Sequence, residues 1–323
     1  MANPSITPQN AVLLAAVAYL STPVQEIGQY LPGWKIVWNG IETTDGNYAF
    51  IATDATNSVY AFAVRGSLPP FDIFKNWDAF ANWVIEDLDV ITRVSWSYSA
   101  NSGALIANGT NTAFNNIQAM VDSFGSGQSA ASYLHYNAVA NNIPVMIAGH
   151  SLGGNIANIF SSYFVTAIAA HHNFTQTYLY TFAAPAAGNE AYATDLDTKL
   201  PNAWHYDNDN DIIPKFPVFD RVLLVAFLYI PSPAASQISV MYKNITITLR
   251  EGFIALAAVL EFYGYRQQAN NYIIFPNGLS SQYMANTFSD YIGQVGYQHG
   301  LGNYASYLGV VLPLEAVIKS RGE

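Results

Sequence analysis

The sequence predicts an α/β fold, a mainly parallel central sheet flanked by helices, in one domain spanning residues 1–323. Three observations carry that expectation. Strand-like and helix-like segments alternate along the chain, as in a parallel sheet with crossover helices. One strand candidate, Pro144-Val-Met-Ile-Ala148, is wholly apolar, as strands buried on both faces are. It runs through a glycine-rich turn straight into an apolar helix.

Taken in order, residues 11–20 form an apolar stretch too short to span a bilayer and are read as an amphipathic helix packed on the domain. The first Lys or Arg is Lys35, so no basic segment precedes the stretch and it does not read as a signal peptide. Export by another route, or removal of a leader, stays open. Tyr48-Ala-Phe-Ile-Ala-Thr53 and Ser58-Val-Tyr-Ala-Phe-Ala-Val64 are β-branched and aromatic runs around the turn-like Asp54-Ala-Thr-Asn57, and read as a hairpin leading into the sheet. Residues 112–123 have helical apolar spacing, and residues 155–170 form a helix apolar all round. Tyr178-Leu-Tyr-Thr-Phe182 and Ala203-Trp-His-Tyr206 are the next strands. Residues 222–230 are a nine-residue apolar run, strand or buried helix, because periodicity cannot arbitrate at that length. Residues 252–265 read as an apolar-faced helix.

Composition narrows the function classes. Charged residues make up only 11% and hydrophobic residues 51%, so the chain has ample apolar area to fold around. The net charge of −10, with 12 Lys and Arg and no basic run, argues against nucleic acid and against electrostatic docking on anionic lipid. Neutral, apolar partners remain. With no cysteine, disulfides and thiolate metal sites are excluded and the redox compartment cannot be read.

The chemistry sits in Gly149-His150-Ser151-Leu152-Gly153-Gly154. Gly-x-Ser-x-Gly alone arises by chance in roughly one chain of this length in ten. Here it follows a buried strand and opens a helix, the context of a nucleophile elbow. The turn is strained and tight, so Gly149 and Gly153 are small by necessity, and it lifts the Ser151 hydroxyl above the sheet edge. The helix start aims backbone N–H groups at developing negative charge, with Leu152 as the first oxyanion donor.

Four blocks in order then resemble the class 3 (fungal-type) lipases of the α/β-hydrolase superfamily. They are Val64-Arg65-Gly66-Ser67; Asn82-Trp83-Val-Ile-Glu-Asp87-Leu88; the nucleophile block; and Thr181-Phe182-Ala-Ala-Pro185-Ala-Ala-Gly188-Asn189 followed by Asp211-Ile-Ile-Pro214-Lys-Phe-Pro217. The resemblance covers about residues 60–217 and a C-terminal His, but not 218–290. It implies Ser67 as second oxyanion residue and a structural Arg65 paired with an acid. It also favours secretion.

In α/β-hydrolases the triad acid and then the His follow the Ser along the chain. Of the six His, at 135, 150, 171, 172, 205 and 299, only His299 lies after every plausible acid; it sits in Tyr297-Gln-His299-Gly300-Leu-Gly302, read as a glycine-rich loop. His150 is read as a packing residue pointing away from Ser151, and His171, His172 and His205 as surface or strand-end residues. Asp211 is the preferred acid, after a presumed strand and beside Ile212-Ile213-Pro214, with Asp207 and Asp209 as close rivals.

Between Ser67 and Trp83, aromatics recur every three residues at Phe71, Phe74, Trp77 and Phe80, an amphipathic helix by spacing. In the family a lid follows this strand, so residues 68–81 are either a lid lining the acyl pocket or a permanently packed helix. The longer spacing between the first two blocks departs from the family pattern. The long interval from Asp211 to His299 predicts an insertion within 218–290, around 222–268. The reading is a carboxylic ester hydrolase without metal or cofactor. A triacylglycerol lipase or esterase on neutral lipid esters is favoured, with transient contact at a lipid interface and no transmembrane segment. Phospholipase A1, feruloyl esterase and acyltransferase are rivals on the same site. A catalytically silent lipid-binding relative and a structural surface protein are rivals from other classes.

Overall fold

The computed structural model describes residues 3–66, 76–82, 84 and 89–320. Seven strands form the central sheet: β1 (Lys35–Asn39), β2 (Ala49–Thr53), β3 (Tyr60–Val64), β6 (Val145–His150), β7 (Thr177–Phe182), β9 (Ala203–Asn208) and β13 (Tyr272–Phe275), in the spatial order β1-β2-β3-β6-β7-β9-β13. The predicted hairpin is β2–β3, and β1 extends it antiparallel. From β3 to β13 every neighbour is parallel. A smaller sheet joins β4 (Arg93–Ser95), β5 (Leu105–Ala107), β8 (Gly188–Asn189) and β12 (Tyr265–Arg266), and β10 (Ser239–Tyr242) pairs with β11 (Ile245–Thr248) as a separate hairpin.

Because successive strand side chains point to opposite faces, the apolar β6 feeds two cores at once. Val145 and Ile147 join Phe62, Phe160 and Leu179 under α4 (Asn108–Gln118), α5 (Ala130–Asn137) and α6 (Leu152–Tyr163). Met146 and Ala148 join Phe50, Phe182 and the helices α1 (Pro8–Val17) and α2 (Pro23–Tyr30) on the other face. The helix α7 (Glu190–Lys199) bridges β8 and β9, capped by the Asn189 side chain. A third core, called the cap below, gathers around the loops after β7 and β9. It is built from α3 (Trp77–Asn82), α8 (Phe219–Val225), α9 (Leu249–Leu260) and α10 (Phe288–His299). The chain closes with α11 (Leu301–Tyr307) and α12 (Leu314–Ser320).

Several expectations need correction. The N-terminal helix is not amphipathic: residues from Ala11 to Ala18 are buried almost throughout, because α11 and α12 cover the side that α1 turns away from β6. That cover comes from the far end of the chain, which local patterning cannot anticipate. The predicted helix at 112–123 is α4, which starts and ends earlier. The helix after the nucleophile turn opens at Leu152 and gives way at Phe164 to a π turn and a short 3-10 turn ending at His172. The undecided run 222–230 begins as the helix α8. Within the interval 218–290, Tyr272–Phe275 supplies the edge strand of the central sheet, so that interval is not wholly an addition. Among the described residues no helix is long and apolar enough to cross a membrane.

Candidate active site

The strand β6 ends at His150, and α6 begins at Leu152. Between them Ser151 is held at φ 60°, ψ −132°, a backbone region that non-glycine residues adopt only under constraint. Two glycines make the constraint possible. A Cβ on Gly149 would lie 2.2 Å from the carbonyl oxygen of Gly153, and one on Gly153 would lie 2.3 Å from that of Val64. The second contact locks the turn against the end of β3, so the elbow is wedged between two strands rather than folded on itself alone.

Ser151 is 1% exposed. Its Oγ lies 2.9 Å from His299 Nε2, and His299 Nδ1 lies 2.8 Å from Asp211 Oδ2. A carboxylate oxygen accepts, so Nδ1 carries the proton and the Nε2 lone pair faces the serine hydroxyl. Asp211 Oδ1 accepts from the Ile213 amide at 2.9 Å, and Oδ2 accepts a second bond from the Tyr304 hydroxyl at 2.7 Å. Asp211 and His299 are fully buried. Asp207 and Asp209 take other partners: Asp207 accepts from the Tyr272 hydroxyl and lies 3.5 Å from Arg221, while Asp209 receives the Asn277 amide. Burial pushes the Asp207 carboxyl up to about 7, against the lowering influence of Tyr272, Arg221 and Lys215.

His299 does not sit in a loop. It is the last residue of α10, and Gly300 ends that helix. His150 is more than packing. Its Nε2 bonds the His299 carbonyl at 2.9 Å and must donate, because a carbonyl only accepts. Its Nδ1 therefore accepts from the Tyr19 hydroxyl at 2.8 Å. The Gly66 amide in turn faces the Tyr19 oxygen. Burial and the neighbouring His299 hold the His150 imidazole well below its ordinary range, so it stays neutral. His205 is buried inside β9 against Thr181, not at the surface, and burial brings it down to about 3. His171 and His172 are exposed.

Leu152 opens α6, where backbone N–H groups have no intrahelical partner. Arg65 pairs with Glu42, donates to the Gly46 carbonyl at 2.9 Å and lies over the Tyr48 ring. Ser67, Phe71 and Phe74 lie outside the described residues. Trp77 and Phe80 are buried on α3, where Trp77 meets Phe253 edge-on at 4.9 Å and Phe80 meets Phe216 at 6.0 Å. A cavity of about 530 Å³ adjoins the elbow, lined by the apolar Leu152, Ile156, Pro185 and Phe216 and by polar residues that include Asp89 and Asn108. Among the described residues no three His, Cys, Asp or Glu side chains converge as metal ligands.

Sequence reading missed Tyr304 and Tyr19. Tyr19 was visible as the one aromatic hydroxyl in the apolar run 11–20. Tyr304 carried no local signal.

The parallel sheet with a strained serine between β6 and α6 defines an α/β-hydrolase. The class 3 lipase profile matches residues 61–221, and the chain belongs to that family, a family of carboxylic ester hydrolases. The crystal structure of M37 lipase superposes over 98% of each chain with a TM-score of 0.75 at 15% identity, a likeness of fold. A mutant form of MDLA from Penicillium cyclopium matches over 66% of this chain and 74% of its own, at 21% identity and a TM-score of 0.48. The Rhizomucor miehei lipase in its propeptide complex matches over 67% of this chain and 65% of its own, at 18% identity and a TM-score of 0.47. Comparison with curated protein sequences gives no match.

Proposed function

We propose that the protein hydrolyses neutral lipid esters through a Ser151–His299–Asp211 triad, as a triacylglycerol lipase or a related esterase. The observation that carries this reading is the continuous hydrogen-bonded line from Ser151 Oγ through the His299 ring to Asp211 Oδ2. Ser151 Oγ attacks the ester carbonyl while His299 Nε2 takes its proton. The tetrahedral oxyanion is held by the Leu152 amide and by Ser67. His299 then returns the proton to the departing alcohol, leaving an acyl-serine. Water, deprotonated by the same nitrogen, attacks the acyl carbonyl; on collapse the C–Oγ bond breaks, His299 returns the proton to Ser151 Oγ, and the acid is released. Asp211 fixes the tautomer and stabilises the imidazolium without taking the proton. Removing one oxyanion donor elsewhere costs about 3–4 kcal/mol of transition-state stabilisation, so Ser67 and Leu152 carry a large share. The apolar part of the cavity lining, from Leu152 to Phe216, accommodates the acyl chain, and Asp89 in the same lining disfavours anionic substrates.

The test is p-nitrophenyl butyrate hydrolysis by wild type and Ser151→Ala. The variant should lose at least about four orders of magnitude in kcat. Equal activity in the two proteins would refute the nucleophile. A series of soluble esters from short to long acyl chains then ranks lipase against esterase.

A further inference from the structure

The helix α9 is apolar on two opposite faces. Leu249, Phe253, Leu256, Ala257 and Leu260 are buried in the cap. On the other side Ile254, Ala255, Ala258 and Val259 face solvent, and Phe262, in the 3-10 turn that continues the helix, is 84% exposed. These positions follow helical spacing, so they form one outward stripe. A helix apolar all round is ordinarily buried all round. This one is not.

The stripe belongs to a larger concentration. Of nineteen exposed large hydrophobic residues among the described ones, eight lie between 219 and 262: Leu224, Phe227 and Ile230, Met241 and Ile245, Ile254, Val259 and Phe262. That stretch is about one seventh of the chain, so the exposure is not the random scatter expected of a surface. The pieces adjoin. Arg250, in the first turn of α9, lies over the Phe227 ring and donates to the Ala226 carbonyl, while the β10–β11 hairpin leads into α9 through its capping residue Thr248. The same stretch is electrically neutral, three acids (Asp220, Glu251, Glu261) against three bases (Arg221, Lys243, Arg250), in a chain of net charge −10. Nine consecutive residues between Glu251 and Glu261 carry no charge.

We infer that this outer face of the cap, centred on α9, is a docking surface for a neutral lipid–water interface. The inference rests on the proposed action on lipid esters and extends it to a place beyond residue 221, where the family match ends. Charge selects the occupant: an uncharged patch on an acidic protein suits an uncharged or zwitterionic phase and not an anionic one. Shape selects against a second copy: the stripe is the crown of a helix and not a groove, whereas a fluid surface conforms to a convex face. The same helix packs on Trp77 of α3 through Phe253, so the face belongs to the body that covers the loops around the site.

The experiment uses the Ser151→Ala protein, so that no lipid is consumed, mixed with triolein emulsion stabilised by phosphatidylcholine and separated by flotation. Ile254→Ser, Val259→Ser and Phe262→Ser combined should lower the bound-to-free ratio at least about tenfold. In the otherwise wild-type background the same triple variant should leave p-nitrophenyl butyrate hydrolysis unchanged, which reports an intact fold and site. Replacing phosphatidylcholine with phosphatidylglycerol should weaken adsorption. Unchanged flotation of the variant, or a sedimenting dimer of the parent that the triple variant turns into monomer, overturns the inference. Loss of soluble-ester activity by Ser151→Ala is measured separately, so failure of the docking face and failure of the triad remain distinct.

Discussion

Around Ser151 the chain is held by groups that each admit one geometry: two glycines with backbone at 2.2 and 2.3 Å from where a Cβ would be, and side chains whose donors and acceptors pair around Asp211. In the cap the cohesion comes mainly from apolar area, with rings meeting at 4.9 to 6.1 Å. The first kind of order is all-or-none, because a hard contact or a missing donor has no nearby substitute. The second is graded, because apolar side chains repack. A site that must place reacting atoms uses the first, and a body that covers it uses the second.

The largest effect should come from breaking the hard contact. Gly149→Ala should yield no stable folded protein by circular dichroism, since its Cβ meets backbone and not a movable side chain. Phe253→Leu, in the cap, should fold normally and lose only about 1–2 kcal/mol on urea denaturation. If the two behave alike, the contrast fails.

A smaller effect sharpens the polar side. Tyr304→Phe keeps the ring packed against Phe275 and removes the hydroxyl that donates to Asp211 Oδ2 and accepts from the Asn208 amide. We expect kcat on a soluble ester to fall about tenfold with KM unchanged, at a stability cost of about 1–2 kcal/mol. A changed KM with unchanged kcat would assign Tyr304 to packing and not to positioning the acid.

The smallest effect is a pH slope. Asp207 is raised to about 7 by burial, above an unfolded value of about 3.9. Between those values the folded protein holds a proton that the unfolded chain has released. The contribution to stability is therefore full below about pH 4 and lost as pH rises through 7. Relative to wild type, Asp207→Asn should remove this loss, with a melting temperature higher by on the order of 5 °C at pH 8 and little difference at about pH 4. Identical pH profiles would mean that Arg221 keeps the carboxyl ionised throughout.

The same contrast explains what could be read from the sequence. The elbow was legible because its sterics leave a fixed residue pattern, and the parallel strands because their apolar runs are short and bounded. Asp211 could be narrowed only to a loop with two rivals, since the choice among them is made by Tyr272, Asn277 and Tyr304, all distant in sequence. His299 was misplaced because Gly300 and Gly302 look like a loop, yet His299 is buried on a helix end. The cap left no pattern beyond hydrophobicity, and the N-terminal helix concealed its burial because its outer cover is α11 and α12.

That last arrangement has a consequence for synthesis. Tyr19 reaches the carbonyl of His299 through one imidazole, and helices beyond residue 300 close over the helix that precedes residue 18. Segments some 280 residues apart in the chain are thus joined beside Ser151. A chain emerging from the ribosome at about 5–20 residues per second has its serine and its elbow many seconds before its histidine, and α1 waits longer still for its cover. On the proposed mechanism, the nascent protein holds a strained turn with no base to activate it until residue 299 has been made and folded against it.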